Sequence, residues 1–195
     1  HGLIRAELEW IAKPSTNGGK LMGDNFVTTC RTARRDEPGD WSADSIDWVV
    51  DVSGAYRSVD RARKHIERGA QSVIIGAPLC DEAVTSVVYG VNHHQWHPSQ
   101  RLVSTTSCTA NALMTLLHPI DQALGVVNGT FTEIHGVTQD QSVVDKPHSD
   151  FRRGRAAGVN MIPTSSTASS VVDHVMPQLK GCIQGYSMRV PTLNV

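Results

Sequence analysis

Cysteine is scarce in this chain, and its placement excludes a disulfide scaffold. Four cysteines (Cys30, Cys80, Cys108, Cys182) are spread over 195 residues with no Cys-x-x-Cys pair, a pattern that suits reduced thiols in a cytoplasmic setting. Charge of one sign is also missing. Lys plus Arg number 18 and Asp plus Glu 19, for a net charge of −1, so no long-range field draws in nucleic acid or an anionic membrane. Any anion must be caught by a local cluster. No apolar run approaches the length of a membrane span, and no signal peptide opens the chain. There is no internal repeat and no low-complexity tract. No Gly-x-Gly-x-x-Gly run precedes residue 46, so the loop that would cradle a dinucleotide pyrophosphate is absent. The chain opens at His1 and stops on the extended apolar run Arg189–Val195; the expectation is an internal piece of a longer protein.

What is present reads as α/β. Hydrophobic residues make up 39% and charged residues 19%, ordinary for a globular chain. Residues 1–44 carry little pattern, and Lys13–Gly23, rich in Gly, Ser, Thr and Pro, reads as loop. From Ile46 short β-branched runs predict strands at 46–52, 72–76, 86–91 and 102–104. Between the first two, Val59, Ala62, Ile66 and Ala70 recur at helical spacing behind Ser58 as N-cap. Strands alternating with a helix predict a parallel sheet. After Cys108, Leu113, Leu116, Leu117, Ile120 and Leu124 form a helical stripe ending at Gly125, with Pro119 predicting a kink or an early end. Thr130–His135 reads as a strand, 136–165 as a long polar functional loop, and Val172–Leu179 as a helix broken near Pro177.

The sharpest chemical signal is Ser104-Thr105-Thr106-Ser107-Cys108-Thr109-Ala110-Asn111. A strand ends and a cysteine sits where the next helix begins, where backbone N–H groups and the helix dipole favour an anionic sulfur. The hydroxyls of Ser107 and Thr109 at the same terminus suit a phosphate. A small buried thiol is the alternative, and position alone leaves both open. His135 closes the next strand and is the residue type that activates a thiol. Phe151-Arg152-Arg153-Gly154-Arg155 and Arg189 supply guanidinium groups suited to a phosphate or to a solvated loop. His93, His94 and His97 lie close together, but no second ligand group stands at a recognised spacing, so no metal is expected.

These residues carry a resemblance. Ser104–Asn111, Thr132-Glu133-Ile134-His135-Gly136-Val137-Thr138-Gln139-Asp140-Gln141, Asp145–Ala157, Met161–Ser166 and Met188–Val195 resemble successive blocks of glyceraldehyde-3-phosphate dehydrogenases. Val52–Tyr56, Val73–Pro78 and Tyr89–His93 match upstream in order and spacing. The resemblance implies a partial Rossmann-type NAD-binding domain at 1–106 and a partial α+β catalytic domain at 107–195, in a divergent bacterial-type member. It implies Cys108 as nucleophile on the aldehyde and His135 as its base. Hydride would pass to NAD (or NADP), and inorganic phosphate would release the acyl group from a Cys108 thioester. Thr138, Arg153 and Arg189 would hold the substrate's phosphate. Ser107, Thr109 and Ser166 would hold the attacking one, and Ser53 and Gly54 would lie along the cofactor. Thr167 stands where the family has a glycine, at a backbone contact to phosphate. Thr105, Ala110 and Ala112 also depart from the usual pattern. The partners implied are a phosphorylated aldehyde, inorganic phosphate and further copies of the complete chain. Erythrose-4-phosphate dehydrogenase, whose acyl enzyme is released by water, and a catalytically silent binding relative are the competing readings.

Overall fold

The computed structural model describes residues 9–12, 18–23, 26–31, 36–43 and 45–192. It is mixed α/β, as the sequence predicts. At the N-terminal end β1 (Glu9–Ala12), β2 (Gly18–Gly23) and β3 (Phe26–Arg31) form an antiparallel sheet. This corrects the loop expected over Lys13–Gly23. Its second half is the central strand, because a ladder on both sides outweighs the poor strand propensity of glycine; residues 13–17 lie outside the described ones.

The second sheet is wholly parallel. Its strands β4 (Trp48–Asp51), β5 (Ser72–Ile75), β6 (Thr85–Ser86) and β7 (Leu102–Ser104) lie in the order β4-β5-β7-β6. Helix α1 (Val59–Glu67) crosses from β4 to β5, and the Ser58 hydroxyl accepts from Arg61 N–H as the expected cap. Val49, Ala62, Ala70, Val73, Ile75 and Leu102 bury the helix against the sheet. Register pairs Asp51 with Ile75 and Ile75 with Ser104. The loops after β4 and after β7 therefore leave the same edge, where parallel sheets bind ligands.

The strand expected over 86–91 stops at Ser86. Asn92 explains the break. Its side-chain oxygen accepts from Val88 N–H at 2.8 Å and its amide donates to Ser86 O at 2.8 Å, curling Val87–Val91 into a turn. Val88 and Val91 are then buried in the next core rather than extended along the sheet.

That next core is built mainly by the elements that follow residue 107. Helices α2 (Cys108–Leu124) and α3 (Ala168–Val175) pack on β8 (Gly129–Gly136) and β10 (Ile183–Val190) through Ala110, Met114, Val171, Val172, Val175 and Ile183. Each Val or Met removed from water here contributes roughly 1.5–3 kcal/mol. β10 lies between β8, to which it is parallel, and antiparallel β9 (Ile162–Thr164). Helix α2 does not end at Pro119. The carbonyl that loses its partner is that of Thr115, and both residues are exposed, so water satisfies it. Gly125, at φ 71°, closes the helix as expected. Among the described residues no helix is long and apolar enough to cross a membrane.

β8 and β10 approach so closely at Gly185 that an added Cβ would land on the Phe131 carbonyl oxygen. Gly185→Ala is therefore expected to destabilise the fold by about 3 kcal/mol, read as a fall in the denaturant midpoint. An unchanged midpoint would mean that this strand pair is not formed as described.

Candidate active site

β7 ends at Ser104, and the chain reaches Cys108 through a turn with Thr106 at φ 61°. A β-branched residue adopts this left-handed conformation only under constraint, at a cost of order 1–3 kcal/mol. The constraint is visible. Thr106 is buried, its N–H donates to Ser104 Oγ at 3.1 Å, and the Asn111 amide reaches Thr105 O, Thr106 Oγ1 and Ser107 O within 3.0 Å. Ser107 then caps α2, its hydroxyl accepting from Ala110 N–H at 3.1 Å. The outcome is an exposed Cys108 at the first residue of the helix, which removes the alternative of a small buried thiol. Asn111 was not singled out in the sequence; a polar amide one turn after a helix start was the available signal.

His135 comes to this sulfur from β8. Its Nε2 lies 3.8 Å from Cys108 Sγ, within the range of a thiol–imidazole contact in an unliganded site. The other ring nitrogen, Nδ1, lies 2.6 Å from the carbonyl oxygen of Gly136 and 2.8 Å from a guanidinium nitrogen of Arg189. These two contacts call for opposite tautomers. Donation from Nδ1 to Gly136 leaves Nε2 free to accept the thiol proton, whereas donation by Arg189 into Nδ1 puts the proton on Nε2. Arg189 sits directly across from His135 in the β8–β10 register.

Strand alternation brings a residue that the motif reading passed over. Phe131, Glu133 and His135 share the inner face of β8, while Thr130, Thr132 and Ile134 are exposed. Glu133 accepts a hydrogen bond from the Thr109 hydroxyl. One of its carboxylate oxygens, Cys108 Sγ and one ring nitrogen of His135 lie within 4.8 Å of one another. Counting by two from His135 would have found it. The same three donors would suit a thiophilic cation, so assays of this site call for a chelator. His93, His94 and His97 do not form such a group: His93 Nδ1 accepts from Gly90 N–H, and His97 Nδ1 pairs with Ser99.

The remaining expected residues are placed less directly. Arg153 donates to Asp140 and to Thr164, each at 2.8 Å, and so lies beside β9. That pairing holds the Asp140 carboxyl below its usual range. Next to it Arg152 grips Asp150 and pulls that carboxyl down to about 2. Thr138 follows β8, its N–H bonded to Gln141 Oε1 at 3.2 Å. The Ser166 hydroxyl accepts from Ala168 N–H at 3.3 Å, and Thr167 stands at the start of α3 without a side-chain cap bond. The structure thus joins Cys108, His135 and Arg189 directly. Arg153 is bound into an acidic network, and no contact links Thr138, Ser166 or Thr167 to the sulfur.

Ser53 and Gly54 leave the same sheet edge as the Cys108 loop. Ser53 donates through both N–H and Oγ to Asp51, and Gly54 turns the chain at φ 71°. Asp51 is held from behind by buried His65, whose Nε2 lies 3.2 Å from the carboxylate. The Trp41 indole donates to His65 Nδ1 at 3.1 Å, so the ring is neutral with its proton on Nε2. Burial lowers the His65 pKa despite the opposing pull of Asp51. An unfolded histidine gains a proton near pH 6.5 while the folded one resists. The unfolded chain therefore binds more protons, and stability is lost as pH falls through that value. Tm is expected to drop between pH 7.5 and 5, and the drop to shrink in His65→Gln; an equal drop in both would place the acid sensitivity elsewhere.

The chain matches known proteins over most of its length. Residues 107–195 match the family described as glyceraldehyde 3-phosphate dehydrogenase, C-terminal domain. A glyceraldehyde-3-phosphate dehydrogenase of Mycobacterium tuberculosis is 42% identical over 178 residues, covering 88% of this chain and 52% of the relative. That of Mycobacterium leprae is 43% identical over 151 residues, covering 77% and 44%. That of Geobacillus stearothermophilus is 38% identical over 196 residues, covering 100% and 56%. The chain spans about half the length of these curated relatives. With a cysteine at a helix start, a histidine against its sulfur and this extent of identity, the chain belongs to the glyceraldehyde-3-phosphate dehydrogenase family.

Proposed function

We propose that the full-length protein carrying this chain oxidises glyceraldehyde 3-phosphate through an acyl thioester on Cys108 and passes the acyl group to inorganic phosphate. The observation that carries the reading is the Cys108 Sγ–His135 Nε2 distance of 3.8 Å at the start of α2. Residues 1–106 form the cofactor-binding part and 107–195 the catalytic part. The protein works in the cytoplasm as a homo-oligomer.

Cys108 adds to the aldehyde carbon while His135 takes the thiol proton at Nε2. The Cys108 backbone N–H at the helix terminus stabilises the oxyanion of the thiohemiacetal, together with the His135 imidazole. NAD, when bound, supplies the hydride acceptor. The fit of this chain to that group rests on Ser53 and Gly54, which form a half-buried turn beyond β4 on the edge from which Cys108 emerges. Arg189 and Arg153 orient the substrate's phosphate with Thr138. For each guanidinium a competitor must yield: His135 Nδ1 for Arg189, Asp140 for Arg153. Ser107 and Ser166 still have hydroxyl protons to offer a second phosphate, while Thr109 has given its own to Glu133.

The test is NADH formation by the full-length protein with glyceraldehyde 3-phosphate, with and without inorganic phosphate. Turnover accelerated by phosphate, with an acyl phosphate as product, is the expected result. No turnover with this aldehyde, but turnover with erythrose 4-phosphate, would replace the substrate. Silence with both would leave a binding relative.

A further inference from the structure

We infer that Glu133 gives the Cys108 acyl enzyme a second outlet, hydrolysis, in competition with transfer to phosphate. The inference rests on the thioester chemistry proposed above and concerns only what happens to the acyl group afterwards.

Three placements carry it. Glu133 and His135 share one face of β8, so both side chains reach the sulfur from the same side. One carboxylate oxygen, the sulfur and one imidazole nitrogen lie within 4.8 Å of one another. An acyl carbon on the sulfur stands one bond away from it. A carboxylate this near the sulfur is therefore within reach of a water attacking that carbon, the arrangement of a general base acting on water. Finally, the Thr109 hydroxyl donates to Glu133. This donation holds the carboxylate in place with its acceptor lone pairs available, and it removes one of the three hydroxyls that an attacking phosphate would use. The same negative charge repels an incoming phosphate but not a neutral water.

The step balances without a co-reactant. Water oxygen bonds to the thioester carbon as its proton passes to the Glu133 carboxylate. The tetrahedral intermediate collapses with cleavage of the carbon–sulfur bond, releasing the carboxylic acid. The Cys108 thiolate is reprotonated by way of His135, and the proton on Glu133 returns to solvent. The product is the phosphorylated hydroxy acid in place of its acyl phosphate.

The experiment uses the full-length protein with glyceraldehyde 3-phosphate, NAD and a chelator, first without inorganic phosphate. The expected result is a burst of one NADH per site followed by continued turnover, with the phosphorylated hydroxy acid formed in step with the NADH. Glu133→Gln should keep the burst and lose phosphate-free turnover by about 100-fold, while the KM for inorganic phosphate falls. Glu133→Asp should recover part of the phosphate-free rate. The burst amplitude reports folding and acylation in every variant. A wild-type burst that stalls without phosphate would overturn the inference and leave the dehydrogenase reading intact. Equal loss of burst and turnover in Glu133→Gln would also overturn it, making Glu133 a residue that positions the thiol. A wild-type protein with no burst would sink the thioester reading itself and the hydrolytic outlet with it.

Discussion

Cys108→Ser is expected to lower kcat of the full-length protein by about 10⁴-fold or more and to erase the first-turnover burst of NADH. The reason is chemical rather than steric. His135 Nε2 is close enough to receive a proton from the group at position 108, but a serine alkoxide is much harder to generate than a thiolate, and it gives an ester in place of a reactive thioester. The fold should not notice the change, because Cys108 is exposed and contributes nothing to the core built by Ala110 and Met114. Matching thermal midpoints for the two proteins, with the burst lost only in the variant, is the predicted pair of readings. A burst that survives would hand the nucleophilic role to another group.

Arg189→Met is expected to raise KM for glyceraldehyde 3-phosphate about 100-fold, the loss of a charge-assisted contact worth about 1.5–3 kcal/mol. The variant separates two functions that meet in one side chain. Arg189 lies 2.8 Å from His135 Nδ1, and its donation there competes with the Gly136 carbonyl and favours the tautomer that cannot take the thiol proton. On the proposed reading a substrate phosphate draws the guanidinium away and leaves Nδ1 to the Gly136 carbonyl that it already meets. Unphosphorylated glyceraldehyde gives no such pull. The variant should therefore equal or exceed wild type on that aldehyde while failing on the phosphorylated one. Equal losses on both would show that Arg189 serves to orient the imidazole and does not bind phosphate.

Much of this was legible in the sequence, for reasons that differ from residue to residue. Helix α1 shows itself through Ser58 and the spacing of Val59, Ala62 and Ile66, since local capping and one buried stripe decide it. The Cys108 helix start and the strand ending in His135 are local in the same sense. The break after Ser86 was not legible. Val87–Val91 has strand composition, and only the side chain of Asn92, folding back on Val88 and Ser86, turns it. Pro119 misleads in the opposite direction, because its cost depends on whether the orphaned carbonyl meets water, a property of the packed helix. Glu133 stayed hidden because a motif directs attention to the histidine, whereas the pleat also places the residue two positions before it at the same sulfur. The tautomer conflict at His135 needs two strands in register and has no signature along the chain.

The parallel pairing of β8 with β10 has a consequence for how refolded material should be judged. His135 meets Arg189, and Glu133 meets Ser187, only in the register described. A slip of one residue would rotate Ile134 inward and carry both the base and the carboxylate to the outer surface. Such a misfolded molecule keeps its secondary structure, much of its compactness and a normal circular dichroism spectrum, yet it has no partner for Cys108. Spectroscopy alone would pass it as recovered. The number of sites that fire in a first turnover, divided by the moles of protein, counts only the molecules whose strands found their proper neighbours.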